Sequence, residues 1–343
     1  MARPNFASDN EAPVHSRVMD AITRANVGPA PSYGADAVTA EAVEVLRRHF
    51  GSDTEAFLVL TGTAANVLAL GSCLRPWEGV ICPESAHIAQ AETGAPEWHL
   101  GTRLLTVPTK DGKLRTEDIR SRLQDVGNEH VVQPRVVSIS QVSEYGTVYR
   151  ADELRALSAA AHGAGLLLHM DGARLANAAA ALGTSLREVS RDAGVDVLSL
   201  GATKNGALGA EAVVFFRRDL GDGFRHRRKQ GMQLASKMRY VAAQMVAMFG
   251  DDTWLECARH ANAMSARLAA GLGGIPGVRF TQPVDANQIF VVLPANKVGR
   301  LEELAAFHAW QAGTSEYRFV TSFATTPAEV DAFIAAAKRI LMD

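Results

Sequence analysis

Two short apolar runs, 166–170 and 195–200, constrain this 343-residue chain more than anything else in it. Both read as buried strands. Each ends in a polar cluster: Asp171, Gly172 and Arg174 after the first, Thr203, Lys204 and Asn205 after the second. A helical run over 151–164, with Asp152 and Glu153 in its first turn, feeds through Gly165 into the first strand. Helix–strand alternation of this kind builds a mostly parallel α/β sheet. Ligands of such sheets bind outside the carboxyl ends of the strands. The sequence therefore delivers a carboxylate, a guanidinium and a primary amine to one place.

That trio has a chemical logic. A lysine amine forms a Schiff base with a carbonyl cofactor, and a carboxylate keeps the ring nitrogen of a pyridine cofactor protonated. Together they make the electron sink of pyridoxal 5'-phosphate (PLP) enzymes. The amine must be neutral to attack, so burial and a neighbouring cation such as Arg174 would serve it by lowering its pKa. Alone, an aspartate after a strand is an ordinary helix cap, and a lysine in a glycine-rich turn is ordinarily solvated. The joint pattern is what carries weight.

Composition excludes several classes. The net charge of −2 gives no electrostatic case for nucleic acid or an anionic membrane. No run approaches the roughly 20 apolar residues of a membrane span. Cys73, Cys82 and Cys257 are odd in number and unrelated in spacing, neither a disulfide framework nor a metal site. With no apolar signal segment at the start, a cytoplasmic setting is the expectation. A nicotinamide enzyme would need a G-x-G-x-x-G after an early strand, and none is there. Hydrophobic residues, 47% of the chain, suffice for one large and one smaller domain.

Along the chain, 5–36 reads as an irregular arm with a short helix at 14–25. A helix at 39–50 and a strand at 56–60 precede G-T-A-A-N, where Gly62 and Thr63 open another helix. Its free N–H groups suit an anion, although Ser, Thr and Gly at helix starts are common caps. Strands at 79–82, 103–107 and 135–141 follow, with a capped helix at 116–123 between them. Beyond Lys204 a strand at 212–216 leads to a basic stretch, Arg225 to Arg239, whose bland reading is a solvated face. A helical run over 239–271 is interrupted near Gly250, Asp251 and Asp252. The pattern then becomes a smaller α/β unit, with strands at 277–280, 287–293 and 317–323 and helices at 301–312 and 327–341. We place the domain boundary there: 1–251 for the arm and large domain, 252–343 for the small one. Arg318 lies in a strand rich in apolar residues. A buried guanidinium needs an anion, either a substrate carboxylate or an internal salt bridge.

H-M-D-G-A-R followed by L-S-L-G-A-T-K-N-G-A-L-G resembles the threonine aldolase branch of the β-eliminating lyase family, and its low-specificity L-threonine aldolases best. These are PLP enzymes of the aspartate aminotransferase fold, fold type I. The resemblance runs from Asn5 to the last helix. It implies a large domain built on a mostly parallel seven-stranded sheet, plus a small C-terminal α/β domain. It further implies that Lys204 carries PLP, Asp171 faces its ring nitrogen, Arg174 lies beside it, Gly62 and Thr63 grip its phosphate, and His87 stacks on the ring near the substrate hydroxyl. Glu92 is a plausible orienting partner. Arg239 aligns with an arginine that reaches a neighbouring subunit's PLP phosphate. Ser8, Arg174 and Arg318 would hold the substrate carboxylate. No metal is expected. Subunits would share active sites in dimers that pair into homotetramers.

Two departures stand out. Asn10 replaces the threonine of an N-terminal S-D-T motif. Ser143-Glu144-Tyr145-Gly146 stands where many members carry T-H-N-G, so either Glu144 replaces a histidine as acid/base or proton handling falls to His87. The implied reaction is retro-aldol cleavage of L-threonine, L-allo-threonine and related β-hydroxy-α-amino acids, phenylserine among them, to glycine and an aldehyde. The rivals are a PLP-dependent β-eliminating lyase giving a 2-oxo acid and ammonia, and a non-catalytic α/β ligand-binding protein.

Overall fold

The computed structural model describes residues 3–311 and 313–343. Seven strands, β1 (Glu55–Val59), β2 (Glu78–Pro83), β3 (Arg103–Val107), β4 (Gln133–Ser140), β5 (Leu167–Gly172), β6 (Val197–Gly201) and β7 (Glu211–Phe215), form one sheet in the order β1-β7-β6-β5-β4-β2-β3. Only β7 runs against the others. The expected mostly parallel seven-stranded sheet is present.

Strand alternation sorts the side chains into two layers. Leu168, Met170, Leu198 and Leu200 point into the larger core, beneath the helices Ala37–Phe50, Ala151–Gly163 and Arg239–Phe249. Val136, Leu167, Val197 and Phe215 point to the opposite face, against the helix Gly62–Cys73. A polar row crosses the sheet on that second face: Ser138 in β4 is the register partner of His169 in β5, and Ser199 in β6, the partner of Asp171, lies diagonal to His169. The His169 ring nitrogens sit 2.9 Å from Ser138 Oγ and 3.0 Å from Ser199 Oγ. Burial pushes His169 down to about 4, so it is a neutral structural imidazole. Two residues on, the same parity puts Asp171 on the same face.

A second sheet, β8 (Arg279–Phe280), β9 (Gln288–Val292), β10 (His308–Ala309) and β11 (Glu316–Val320), is antiparallel in the order β10-β11-β9-β8. Ile289, Val291 and Phe319 face a separate core with the helix Pro327–Met342. Phe6 of the arm is fully buried in that core, its ring 5.4 Å from that of Phe333. The helix Thr253–Leu272 serves both cores, with Trp254 and Cys257 in the large one and Met264, Leu268 and Leu272 in the small.

One expected element is overturned. The spacing of Leu301, Leu304 and Ala305 suits a helix over 301–312, but the helix there is Val298–Glu302. The chain then turns and pairs with the arm: Ala306 N–H donates to Pro4 O at 3.0 Å, Phe6 N–H to Ala306 O at 2.8 Å. Phe307 stacks on Phe319 at 4.4 Å. Long-range pairing and a buried aromatic outweigh the fractions of a kcal/mol per residue in helix propensity. Ala312, the end of the expected helix, lies outside the described residues. Among those residues no helix is long and apolar enough to cross a membrane.

Candidate active site

The carboxyl ends of β1, β2, β4, β5 and β6 open on a cleft that the second sheet overhangs. Asp171, the penultimate residue of β5, is 8% exposed. Its Oδ2 accepts from Asn66 Nδ2 at 2.8 Å and its Oδ1 from Ala173 N–H at 3.0 Å. Burial alone would raise its pKa. The Lys204 charge, the Asn66 and Ala173 hydrogen bonds and His87 outweigh burial and hold it below the usual carboxylate range.

Lys204 lies in the single turn Thr203–Asn205 that follows β6. Burial lowers its pKa, Arg174 adds to this, and Asp9, Asp171 and Glu211 pull the other way. Glu211, at the start of β7, accepts from Thr203 Oγ1 at 2.5 Å. Burial pushes its carboxyl up to about 7. Two buried carboxylates thus flank one amine with opposite shifts.

Gly62 and Thr63 begin their helix behind the N-cap Thr61, whose Oγ1 accepts from Ala64 N–H at 3.2 Å. A Cβ added at Gly62 would meet nothing within 4 Å, so the cleft is open in front of this helix start. His87 Nδ1 lies 2.8 Å from Glu92 Oε1, which also accepts from Asn66 Nδ2 at 2.9 Å. The Glu92 hydrogen bond raises the His87 pKa against the effect of burial. Asn66 thereby ties His87's partner to Asp171.

Glu144 is brought to the same cleft. Its Oε1 accepts from Ser140 Oγ at 2.5 Å and from His87 N–H at 2.9 Å. Its Oε2 is buried with no partner. Burial, with Asp171's charge adding to it, raises its pKa despite those hydrogen bonds.

Arg174 also lines the cleft, but its fork is closed on the arm: Nε donates to Asp9 Oδ2 at 2.7 Å and Nη2 to Asp9 Oδ1 at 2.8 Å. Asn287 Nδ2 adds a third bond to Asp9 at 3.0 Å. Ser8 sits at the cleft mouth, where its Oγ caps Asn10 N–H at 3.1 Å. Arg318 reaches the same space from β11. Among the described residues its Nη2 has only a 3.5 Å contact with Ala7 O, and its buried Nε has none. Its guanidinium lies 5.3 Å from the Trp310 ring centroid. Arg239 is elsewhere: Nη1 donates to Gly28 O at 2.9 Å, and the residue lines none of the lobes around Lys204.

Sequence reasoning missed the parts that act through other residues. Asp9 stood inside the S-D-N motif as the partner Arg174 needed, yet only Ser8 was singled out. Asn66 closes the G-T-A-A-N segment, one turn into the helix. Glu211, Gln288 and Trp310 carried no local signal.

A cleft with a half-buried amine, a buried anionic carboxylate and a guanidinium with one marginal contact suits a small anionic substrate reacting beside a cofactor. The model of the beta-eliminating lyase family matches residues 5–296. A low specificity L-threonine aldolase of Pseudomonas aeruginosa is 47% identical over 292 residues, 84% of each chain. The chain belongs to the beta-eliminating lyase family. It is an enzyme, a lyase. The solved structure of the Leishmania major threonine aldolase superposes with a TM-score of 0.93 at 33% identity, covering 98% of this chain and 99% of that one. The Thermus thermophilus aspartate aminotransferase, at 17% identity and a TM-score of 0.72 over 99% and 92% of the two chains, shares the fold.

Proposed function

We propose that this lyase is a PLP-dependent aldolase that cleaves L-threonine, L-allo-threonine and related β-hydroxy-α-amino acids to glycine and an aldehyde. The observation that carries the reading is the Asp171–Lys204 pair at the ends of β5 and β6, with the open guanidinium of Arg318 facing it across one cleft.

The residues present fit PLP. The open lobe over Gly62, Thr63 and Lys204 has a volume of about 320 Å³, within the range of small-ligand sites. Its open helix start offers backbone N–H groups to a phosphate. Asp171, held anionic, suits a protonated pyridine nitrogen, and Lys204 suits the carbonyl carbon. When bound, the cofactor would take up the electron pair of the broken Cα–Cβ bond.

The protein's own groups do the rest. Arg318 holds the α-carboxylate and so fixes which Cα bond is aligned to break. Arg174, locked by Asp9, adds positive charge rather than a second fork. Glu144 accepts the β-hydroxyl proton at its unpartnered Oε2. Burial raises its pKa, which makes it a stronger base than an ordinary carboxylate. His87, whose ring is oriented by Glu92, lies against Glu144 through its backbone N–H. Lys204, with its lowered pKa, returns a proton to Cα to give glycine.

Phenylserine-type substrates fit the same machinery. We place the protein in the cytoplasm, as a homotetramer in which Arg239 serves a neighbouring subunit's site.

Identifying the products of the PLP-loaded protein tests the reading. L-Threonine should give acetaldehyde and glycine in equal amounts. Ammonia with a 2-oxo acid and no aldehyde would reassign the enzyme to β-elimination.

A further inference from the structure

The second sheet presents a single face to the cleft. Register places Phe290 opposite Arg318 and Gln288 opposite Val320, so Gln288 and Arg318 are diagonal neighbours on that face. The odd-numbered residues of β9, Ile289 and Val291, turn away into the small core. Gln288 is 1% exposed, and it lines the same lobe as Ser8, Glu144, Lys204 and Arg318.

Its amide is left open. Among the described residues Gln288 Oε1 is buried and has no hydrogen-bond partner. Buried amides are nearly always bonded, and one that is not destabilises the fold. The surroundings nonetheless press against this residue. The S-E-Y-G turn bends back at Gly146, φ 76°, and a Cβ there would come within 3.0 Å of Gln288 Cβ. The turn that carries Glu144 therefore packs on the Gln288 stem and leaves the amide end to the cleft.

We propose that Gln288 contacts the substrate, its Nε2 donating a hydrogen bond to the α-carboxylate beside Arg318, at the diagonal position on the same face. This rests on the amino-acid reading of the cleft. A carboxylate seated on Arg318 lies within reach of the diagonal neighbour on the same face. A neutral amide adds a directed bond without adding charge. A planar anion is then held from two sides, in the free amino-acid complex as in the reacting one.

The test is Gln288→Met, which keeps the volume and removes the amide. The PLP-loaded variant and parent are titrated with glycine, which has the carboxylate but no β-substituent, and assayed with L-threonine. The glycine Kd and the threonine KM should rise by the same factor, about tenfold for one bond to a charged group, with kcat little changed. The variant's Tm should be no lower than the parent's, since an unbonded amide has gone. Gln288→Glu, which sets a like charge against the carboxylate, should weaken glycine further still.

Unchanged glycine affinity in Gln288→Met would overturn the proposal, as would a loss confined to threonine, which would put the amide at the β-carbon. A variant that melts lower or fails to fold would show that the amide holds the structure together, and would overturn it too. The glycine titration reads the carboxylate site whichever reaction follows. Threonine giving a 2-oxo acid would sink the aldol reading alone, and a parent that binds no amino acid would sink both.

Discussion

Asp171, buried at the end of β5, and Arg318, half-buried in β11, are charges facing one cleft, yet the fold treats them differently. Each oxygen of Asp171 has a donor, and Lys204 and His87 balance its charge. Arg318 has one marginal contact, an unpartnered Nε and a lowered pKa caused first by burial and then by Arg174. The nearby carboxylate of Asp9 is already committed to Arg174. A charge completed by the fold is ready for a resident group at all times. A charge left open destabilises the free protein and gains its partner only when an anion arrives. The two walls thus suit the proposed division, a resident cofactor on the large sheet and a passing substrate on the small one.

The sharpest way to break this comparison is to remove the amine between the two walls. Lys204→Ala should lower turnover by at least about 10³-fold, roughly 4 kcal/mol of barrier, and abolish covalent attachment of PLP seen in its absorbance. A variant with parental turnover and spectrum would end the account of the large-sheet wall.

A smaller effect sharpens it. Glu211 is a carboxylate on the same wall that lacks Asp171's full set of donors, and its folded pKa is pushed up to about 7 from an ordinary 4.5. Between those values the folded state keeps a proton that the unfolded chain has released. The stabilisation is therefore complete below about pH 4.5 and lost as pH rises through 7. The loss is on the order of 3 kcal/mol by pH 8. Glu211→Gln escapes it. Urea unfolding of the cofactor-free proteins should show the variant gaining on the parent from pH 5 to pH 8. A gap that does not change with pH would mean that Glu211 is not held protonated.

Much of the large-sheet wall was legible because it is local. Apolar runs ending in D-G-A-R and T-K-N place polar groups at strand ends, and a parallel sheet aligns those ends. The departure at S-E-Y-G was equally visible, and the chain indeed brings Glu144 to the cleft. The small-sheet wall was legible only at Arg318, where a charge interrupts an apolar strand. Gln288 looks like an ordinary polar residue opening a strand, and only its place across from β11 gives it meaning. The Asp9–Arg174 fork joins residues 165 positions apart, beyond any periodicity. The same long-range pairing of the arm replaced the helix expected over 301–312 with an extended segment, although Leu301, Leu304 and Ala305 were well spaced for a helix.

The division of labour between the two walls is tested most directly by measuring two affinities on two variants. Arg318→Leu should raise the glycine Kd by about 30-fold or more, the loss of a charge-assisted fork, while leaving the PLP Kd within about twofold. Asp171→Asn should do the reverse, weakening PLP by about tenfold or more. Arg318→Leu binding glycine like the parent, or Asp171→Asn holding PLP as tightly as the parent, would contradict the assignment of cofactor to one wall and substrate to the other.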